Sequence, residues 1–241
     1  MLGLKKMADG HDPNSFSNTL RAKRFRLFQR LVQDLPRPLR IIDVGGTVEF
    51  WKQRGWANLD DVQITLVNLK KQTSPYDNIE CVVGDATSLE QFADRSFDIA
   101  FSNSVIEHLF TFENQKLMAR EMRRVGRAYF VQTPNYWFPI EPHFHIPAWQ
   151  WLPVTVRMAV LQRRTCGWQR KRPDPARAWR DVNEIRLLTK SELRQLFPNS
   201  TIVGERLFGL NKSWMAYDGF PCQQTNAAIM LDVEDAPQLT H

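Results

Sequence analysis

The chain is poor in cysteine, and its few cysteines are scattered. Three occur among 241 residues, at positions 81, 166 and 222, with no CxxC pair. An odd count at such distances argues against a disulfide framework and a cysteine-rich zinc site, and it suits reduced thiols in a cytoplasmic protein. Long apolar runs are missing too, since none reaches the roughly 18 to 20 residues that cross a bilayer. Met1 to Gly10 holds two lysines but no apolar stretch, so no secretory signal is expected. Neither GxGxxG nor GxxxxGK[ST] occurs, which removes the dinucleotide fingerprint and the phosphate-loop NTPases. There is no internal repeat and no low-complexity tract.

What is present is ordinary for a globular α/β chain. Hydrophobic residues make up 43% and charged residues 24%, enough for one large domain or two small ones. The net charge of +6 is local in origin. Between Arg157 and Arg180 stand eight Lys or Arg residues and one acid, Asp174, while the rest of the chain sums to −1. That basic stretch needs a local explanation.

Residues 1–14 read as a loose lead-in. A helical pattern runs from Ser15 through Phe16, Leu20, Phe25, Phe28, Leu31 and Leu35 and stops at Pro36. Strand patterns then follow at Leu39 to Val44, Gln63 to Asn68, Ile79 to Val83, Phe97 to Ser102 and Ala128 to Gln132, with helical stretches between several of them. Alternation of this kind predicts a doubly wound, mostly parallel sheet with helices on both faces. Five prolines between Pro134 and Pro153 interrupt it. A capping box, Thr189-Lys190-Ser191-Glu192, opens a last helix, and two strands near Ile202 to Leu207 and Ser213 to Tyr217 close the sheet. The expected organisation is one domain over 15–220, with an inserted cap at about 134–188 and a frayed tail at 221–241.

Chemistry is expected at the strand ends. Ile41-Ile42-Asp43-Val44-Gly45-Gly46-Thr47 is a strand, a glycine turn and a helix start, where backbone can approach a ligand closely. Asn68 ends the second strand 25 residues after Asp43, placed for ribose hydroxyls. Val82-Val83-Gly84-Asp85-Ala86 ends the third with an acid suited to an adenine amino group. Ser96 to Leu109 (SFDIAFSNSVIEHL) runs from the fourth strand into a polar turn.

With these four stations in order, the chain resembles the class I S-adenosylmethionine-dependent methyltransferases, in the broad group whose fourth strand reads FDxVxSNxVxEHL. The resemblance covers residues 39–133 by motif and 186–218 by element order. It implies a seven-stranded Rossmann-like sheet with an antiparallel last strand and a cofactor across the strand ends. It further implies that Asp43, Gly45, Gly46 and Thr47 line the methionine and ribose side, that Asp85 and Ala86 hold the adenine, and that Asn103 lies near the sulfonium. Asn68 departs from the pattern, replacing the acid that usually grips the ribose, and the glycine loop is sparse. An inactive protein that keeps this fold as a scaffold is the reading from outside the enzyme class.

Methyl transfer needs alignment above all, and an oxygen acceptor also needs a proton removed. Glu107 and His108 are the first candidates, at the end of the fourth strand. His143 and His145, in the proline-rich segment that leaves the fifth strand, complete an expected polar wall. In an extended chain Glu141, His143 and His145 would share one face, a set that suits Fe or Zn. No metal is expected, however. The resemblance to quinone-biosynthesis O-methyltransferases that use a divalent ion lacks one upstream glutamate, replaced by Ser104. The expected substrate is a small molecule, with O-methylation favoured, and phosphorylated or lipid-linked acceptors suit the basic cap. Trp149, Trp151, Trp168 and Trp179 and the apolar stretch Ile146 to Leu161 would allow contact with a membrane surface. A basic cap gripping RNA or protein is the alternative, with nucleic acid ranked last because no RNA-binding motif accompanies the charge.

Overall fold

The computed structural model describes residues 16–221; the expected lead-in, the tail and Cys222 lie outside them. Seven strands form one sheet: β1 (Leu39–Val44), β2 (Val62–Asn68), β3 (Ile79–Val83), β4 (Phe97–Asn103), β5 (Gly126–Pro134), β6 (Thr201–Leu207) and β7 (Leu210–Asp218), in the order β3-β2-β1-β4-β5-β7-β6. The first five run parallel, and β7 lies antiparallel to both β5 and β6. This is the expected doubly wound sheet. Its register matters for function. Val44 pairs with Val67, Asn68 with Val83 and Asn103 with Gln132. The C-terminal ends of the parallel strands therefore come out along one edge.

Helices α1 (Phe16–Val32) and α2 (Val48–Gln53) cover one face, and α3 (Phe112–Val125) and α6 (Lys190–Leu196) cover the other. The first face is aromatic: Phe28 lies 5.0 Å from Phe101 and 5.6 Å from Phe130, with Phe25, Trp51 and Trp56 around it. The second is aliphatic, with Met118, Met122, Leu193 and Phe197 buried against β4, β5 and β7. Thr189 caps α6 in the expected box with Glu192. The segments joining β2 to β3 and β3 to β4 hold no helix.

The inserted segment is more regular than its prolines suggest. A 3₁₀ turn (Trp149–Trp151) leads to α4 (Val154–Arg163), and α5 (Pro175–Asn183) follows. Asp174 caps α5 with Pro175 at its first position, an arrangement that favours helix initiation. Phe144, Trp149, Leu161, Cys166 and Val182 make a small core of their own, with Phe144 stacked on Trp149 at 4.3 Å. The stretch Ile146 to Leu161 is thus broken into two pieces, with Trp149 and Leu161 turned inward. Trp137, Trp151 and Val156 stay exposed. No helix among the described residues is long and apolar enough to cross a membrane.

Candidate active site

Two adjoining cavities open at the C-terminal edge of the sheet and share Gly45 and Ser104. The larger, about 1010 Å³, is lined by Asn68, Asp85, Ala86 and His108. The smaller, about 240 Å³, is lined by Asp43, Gly46, Thr47 and Asn103. All eight residues assigned to a cofactor by sequence therefore face one or both.

The glycine loop is shaped by close approach. Gly45 has φ +83°, and a Cβ there would stand 2.6 Å from the Val105 methyls. A Cβ on Gly46 would meet Asp43 Oδ2 at 1.7 Å. Asp43 is buried and accepts a 2.8 Å hydrogen bond at Oδ2 from Trp51 Nε1, while its Oδ1 has no partner among the described residues. Thr47 caps α2, its hydroxyl accepting from Phe50 N at 3.2 Å. A loop that tolerates no side chain, beside a buried carboxylate with an orphaned oxygen, fits the cationic amino-acid end of S-adenosylmethionine.

Burial raises the Asp43 carboxyl to about 7, and the Trp51 hydrogen bond offsets this only in part. Because the folded pKa lies above the unfolded one, Asp43 favours folding most at low pH and loses that contribution as pH rises from about 4 to about 7. Asp43→Asn keeps an acceptor for Trp51 but cannot ionise. The difference in unfolding free energy between wild type and variant should therefore drift against wild type across that window, by roughly 4 kcal/mol in total. Denaturant titrations at pH 4, 5.5 and 7 measure it, and a flat difference contradicts the prediction.

Asn68 does something its sequence position did not suggest. Its Nδ2 donates to the Gly46 carbonyl at 2.8 Å, tying the end of β2 to the glycine loop. A carboxylate there has no proton to give and would face the carbonyl's lone pairs. Asn68→Asp would restore the acid that the resemblance implies, yet it is expected to weaken S-adenosylhomocysteine binding about tenfold. That is the scale of one hydrogen bond lost beside a close-packed loop. Tighter binding by calorimetry would contradict this. Asp85 is turned inward on its own chain, accepting at Oδ1 from Thr87 N (2.8 Å) and Thr87 Oγ1 (2.7 Å).

The acid–histidine candidates divide. Glu107 and His108 lie in a 3₁₀ turn (Ile106–His108) after β4. His143 comes from the cap and meets His108 edge-on, with ring centroids 4.9 Å apart. Glu107 is fully buried; its Oε2 accepts from Thr133 Oγ1 at 3.1 Å and its Oε1 has no partner among the described residues. Burial, resisted mainly by the nearby His143, raises its carboxyl to about 7. Burial and then His143 push His108 down to about 4, so its ring is neutral with a lone pair available at neutral pH. His143 moves the other way. Burial alone would lower it, but the hydrogen bond and charge of Glu141, 2.6 Å from Nδ1, outweigh that and raise it.

His145 stands apart from this group, its ring 5.6 Å from Trp168 and its φ at +52°. The expectation that Glu141, His143 and His145 share a face of an extended chain is corrected here. The chain turns at Glu141, whose Oε2 accepts from His143 N and Phe144 N (2.8 and 2.6 Å) while His145 N bonds the Glu141 carbonyl at 2.9 Å. A side-chain period of two does not apply in a turn. Among the described residues, the set that could hold a metal is instead Glu107, His108 and His143, whose ligand atoms lie within 4.8 Å of one another.

Sequence reasoning expected a basic cap over the acceptor site but did not single out the residues that line the cavity from it. Arg172, Arg177 and Arg180 of the cap line the larger cavity with Asp181 and Glu184. Arg172 pairs with Asp181, and Arg177 lies 3.7 Å from Asp174. Arg180 has no ion pair among the described residues. The charge excess at Arg157 to Arg180 and the expected cap over the acceptor site were the signal; which arginines turn toward the cavity was not legible.

Sheet order, the glycine loop and the polar strand ends define the class I, S-adenosylmethionine-dependent methyltransferase fold. Residues 44–128 match the family model described as a methyltransferase domain. Two uncharacterized proteins of Mycobacterium tuberculosis, from strains CDC 1551 and H37Rv, are 36% identical over 93 residues, which cover 39% of this chain and 31% of theirs. The match spans about a third of the length of these curated relatives. Among solved structures, a SAM-dependent methyltransferase from Aquifex aeolicus is similar at 10% identity, covering 80% of this chain and 87% of its own, with a TM-score of 0.44. One from Methanosarcina mazei gives 14% identity, 78% and 95% coverage, and 0.46.

Proposed function

We propose that the protein transfers a methyl group from S-adenosylmethionine to an oxygen of a small acceptor held between the strand ends and the cap. The observation that carries this reading is the shared wall. His108 lines the same cavity as Asn68, Asp85 and Gly45, so an acceptor beside the cofactor residues is also beside the polar cluster. S-adenosylmethionine brings a methyl group already activated on a sulfonium, and the protein's task is alignment and handling of the acceptor's proton. Asp43, Gly45, Gly46 and Thr47 would hold the amino-acid side. Asn68, Asp85 and Ala86 would hold the nucleoside, and Asn103 would sit near the reacting sulfur. His108, with Glu107 and His143 behind it, supplies the polar wall that favours a hydroxyl acceptor.

The arginines over the cavity favour an acceptor with an anionic group, phosphorylated or lipid-linked. Unpaired Cys81 and Cys166 suit a reducing compartment, in keeping with work in the cytoplasm. The test is calorimetry with S-adenosylhomocysteine, followed by a labelled-methyl screen of hydroxylated, aminated and anionic small molecules. No heat and no thermal shift at millimolar ligand defeats the proposal. Labelling of amines alone defeats the oxygen assignment.

A further inference from the structure

We propose that Glu107, His108 and His143 form a binding site for one divalent transition-metal ion of the zinc or iron type, set in the wall of the larger cavity. The three ligand atoms lie within 4.8 Å of one another. Bonds of about 2.0 to 2.2 Å to a shared ion separate ligand atoms by roughly 3 to 4 Å, so little movement is needed to close the site. One carboxylate and two imidazoles are also the donor set that such ions prefer.

Each ligand is individually prepared. Glu107 is fully buried, anchored at Oε2 by Thr133, and presents an Oε1 that no described residue satisfies. A buried carboxylate oxygen without a partner is costly, and a cation is the partner that removes the cost. The Nδ1 of His143 is held by Glu141 Oε1 at 2.6 Å, which leaves Nε2 as the free donor. Glu141 is itself fixed by two backbone N–H groups. A carboxylate behind the far nitrogen of a histidine is the arrangement that orients metal-bound imidazoles. His108 sets its ring edge-on to His143 and borders the cavity.

Three protein ligands leave a tetrahedral ion with one open position. On the reading of the preceding subsection, on which this use rests, that position takes the acceptor's oxygen. Bound there, the hydroxyl loses its proton to water. Its lone pair then forms the new C–O bond as the methyl–sulfur bond breaks, with that bond's electrons staying on sulfur to give neutral S-adenosylhomocysteine. The site would also tie the cap to the turn after β4, because His143 belongs to one and Glu107 and His108 to the other.

The experiment uses the full chain, stripped by a chelator, freed of any affinity tag and titrated with Co(II) and then Zn(II). One equivalent should bind, with Co(II) developing the visible absorption of a low-symmetry nitrogen–oxygen site. His143→Ala should weaken binding at least a hundredfold, and Glu141→Gln by about ten- to a hundredfold. S-adenosylhomocysteine affinity, measured on the same samples, should stay within about threefold in both variants, which separates loss of metal from loss of the cofactor site or of folding. If His143→Ala does not fold by circular dichroism, the isosteric Glu107→Gln replaces it, with the same loss expected. Wild-type protein that binds no equivalent with Kd below about 100 μM, or a folded variant that keeps wild-type affinity, overturns the proposal. Metal binding without S-adenosylhomocysteine binding would leave the site standing and defeat the methyl-transfer reading.

Discussion

Gly45→Arg is expected to abolish S-adenosylhomocysteine binding while leaving a folded sheet. Two independent features of the position produce the effect. Its φ of +83° lies in the region where a side chain on an L-residue is strained. Any Cβ would also stand 2.6 Å from both Val105 methyls, inside the distance that carbon atoms tolerate. Arginine adds a long cation at the one residue, besides Ser104, that both cavities share. The expected loss is a thousandfold or more, beyond what calorimetry at millimolar ligand detects, because strain, steric filling and charge all oppose the cationic ligand. Gly45→Ala separates the terms. It keeps the strain and the clash but not the filling, so an intermediate loss of about ten- to a hundredfold is expected. The shape of the unfolding transition, followed by circular dichroism, checks that the sheet survives. Wild-type affinity in Gly45→Arg would mean that the ligand does not pass over this loop.

The meeting of the candidate cofactor residues at one edge was legible because it depends on strand ends, and strand ends are what a sequence pattern states best. A parallel sheet sends the residues after β1, β2, β3 and β4 to one edge whatever the helices do, so Gly45, Asn68, Asp85 and Asn103 had to meet there. Their partners were not legible. Nothing in the pattern tells that Asn68 spends its amide on the Gly46 carbonyl, or that Trp51 reaches back to Asp43, since each bond depends on where a short helix docks. The cap was the hardest part. Five prolines masked a segment whose α4 and α5 start at Pro153 and at the Asp174-Pro175 pair, and Asp174-Pro175 is a start signal that the high charge around it obscured. The histidines divide along the same line. His108 follows directly from β4 and its place could be reasoned. His143 and His145 lie in a turn, where two residues of separation fix no common face, and the structure sends one to His108 and the other to Trp168.

His108→Ala should lower methyl transfer by roughly a hundredfold while S-adenosylhomocysteine affinity stays within about threefold. The acceptor for this assay is whichever compound the wild-type protein methylates in the screen above. His108 is the member of the acid–histidine cluster that borders the larger cavity, and burial keeps it uncharged near neutral pH, so a lone pair is available for a proton or an ion at that wall. Its ring makes no hydrogen bond to the glycine loop among the described residues, and the candidate cofactor residues Asp43, Gly46, Asn68 and Asp85 bond to other partners. Removing the imidazole therefore takes away proton handling, whether direct or through an ion, and leaves the cofactor's contacts in place. Glu107→Gln and His143→Ala remove other members of the same cluster, and their effects on turnover should not add to that of His108→Ala. His145→Ala provides the contrast, since its ring packs at Trp168 and it is not one of the three clustered side chains, and a change within about threefold is expected. A purely structural histidine predicts the opposite division for His108→Ala, with a lower melting temperature and unchanged turnover per folded molecule. Measuring kcat, KM for the acceptor and the melting temperature on the same preparations decides between them, and turnover within threefold of wild type removes His108 from the chemistry.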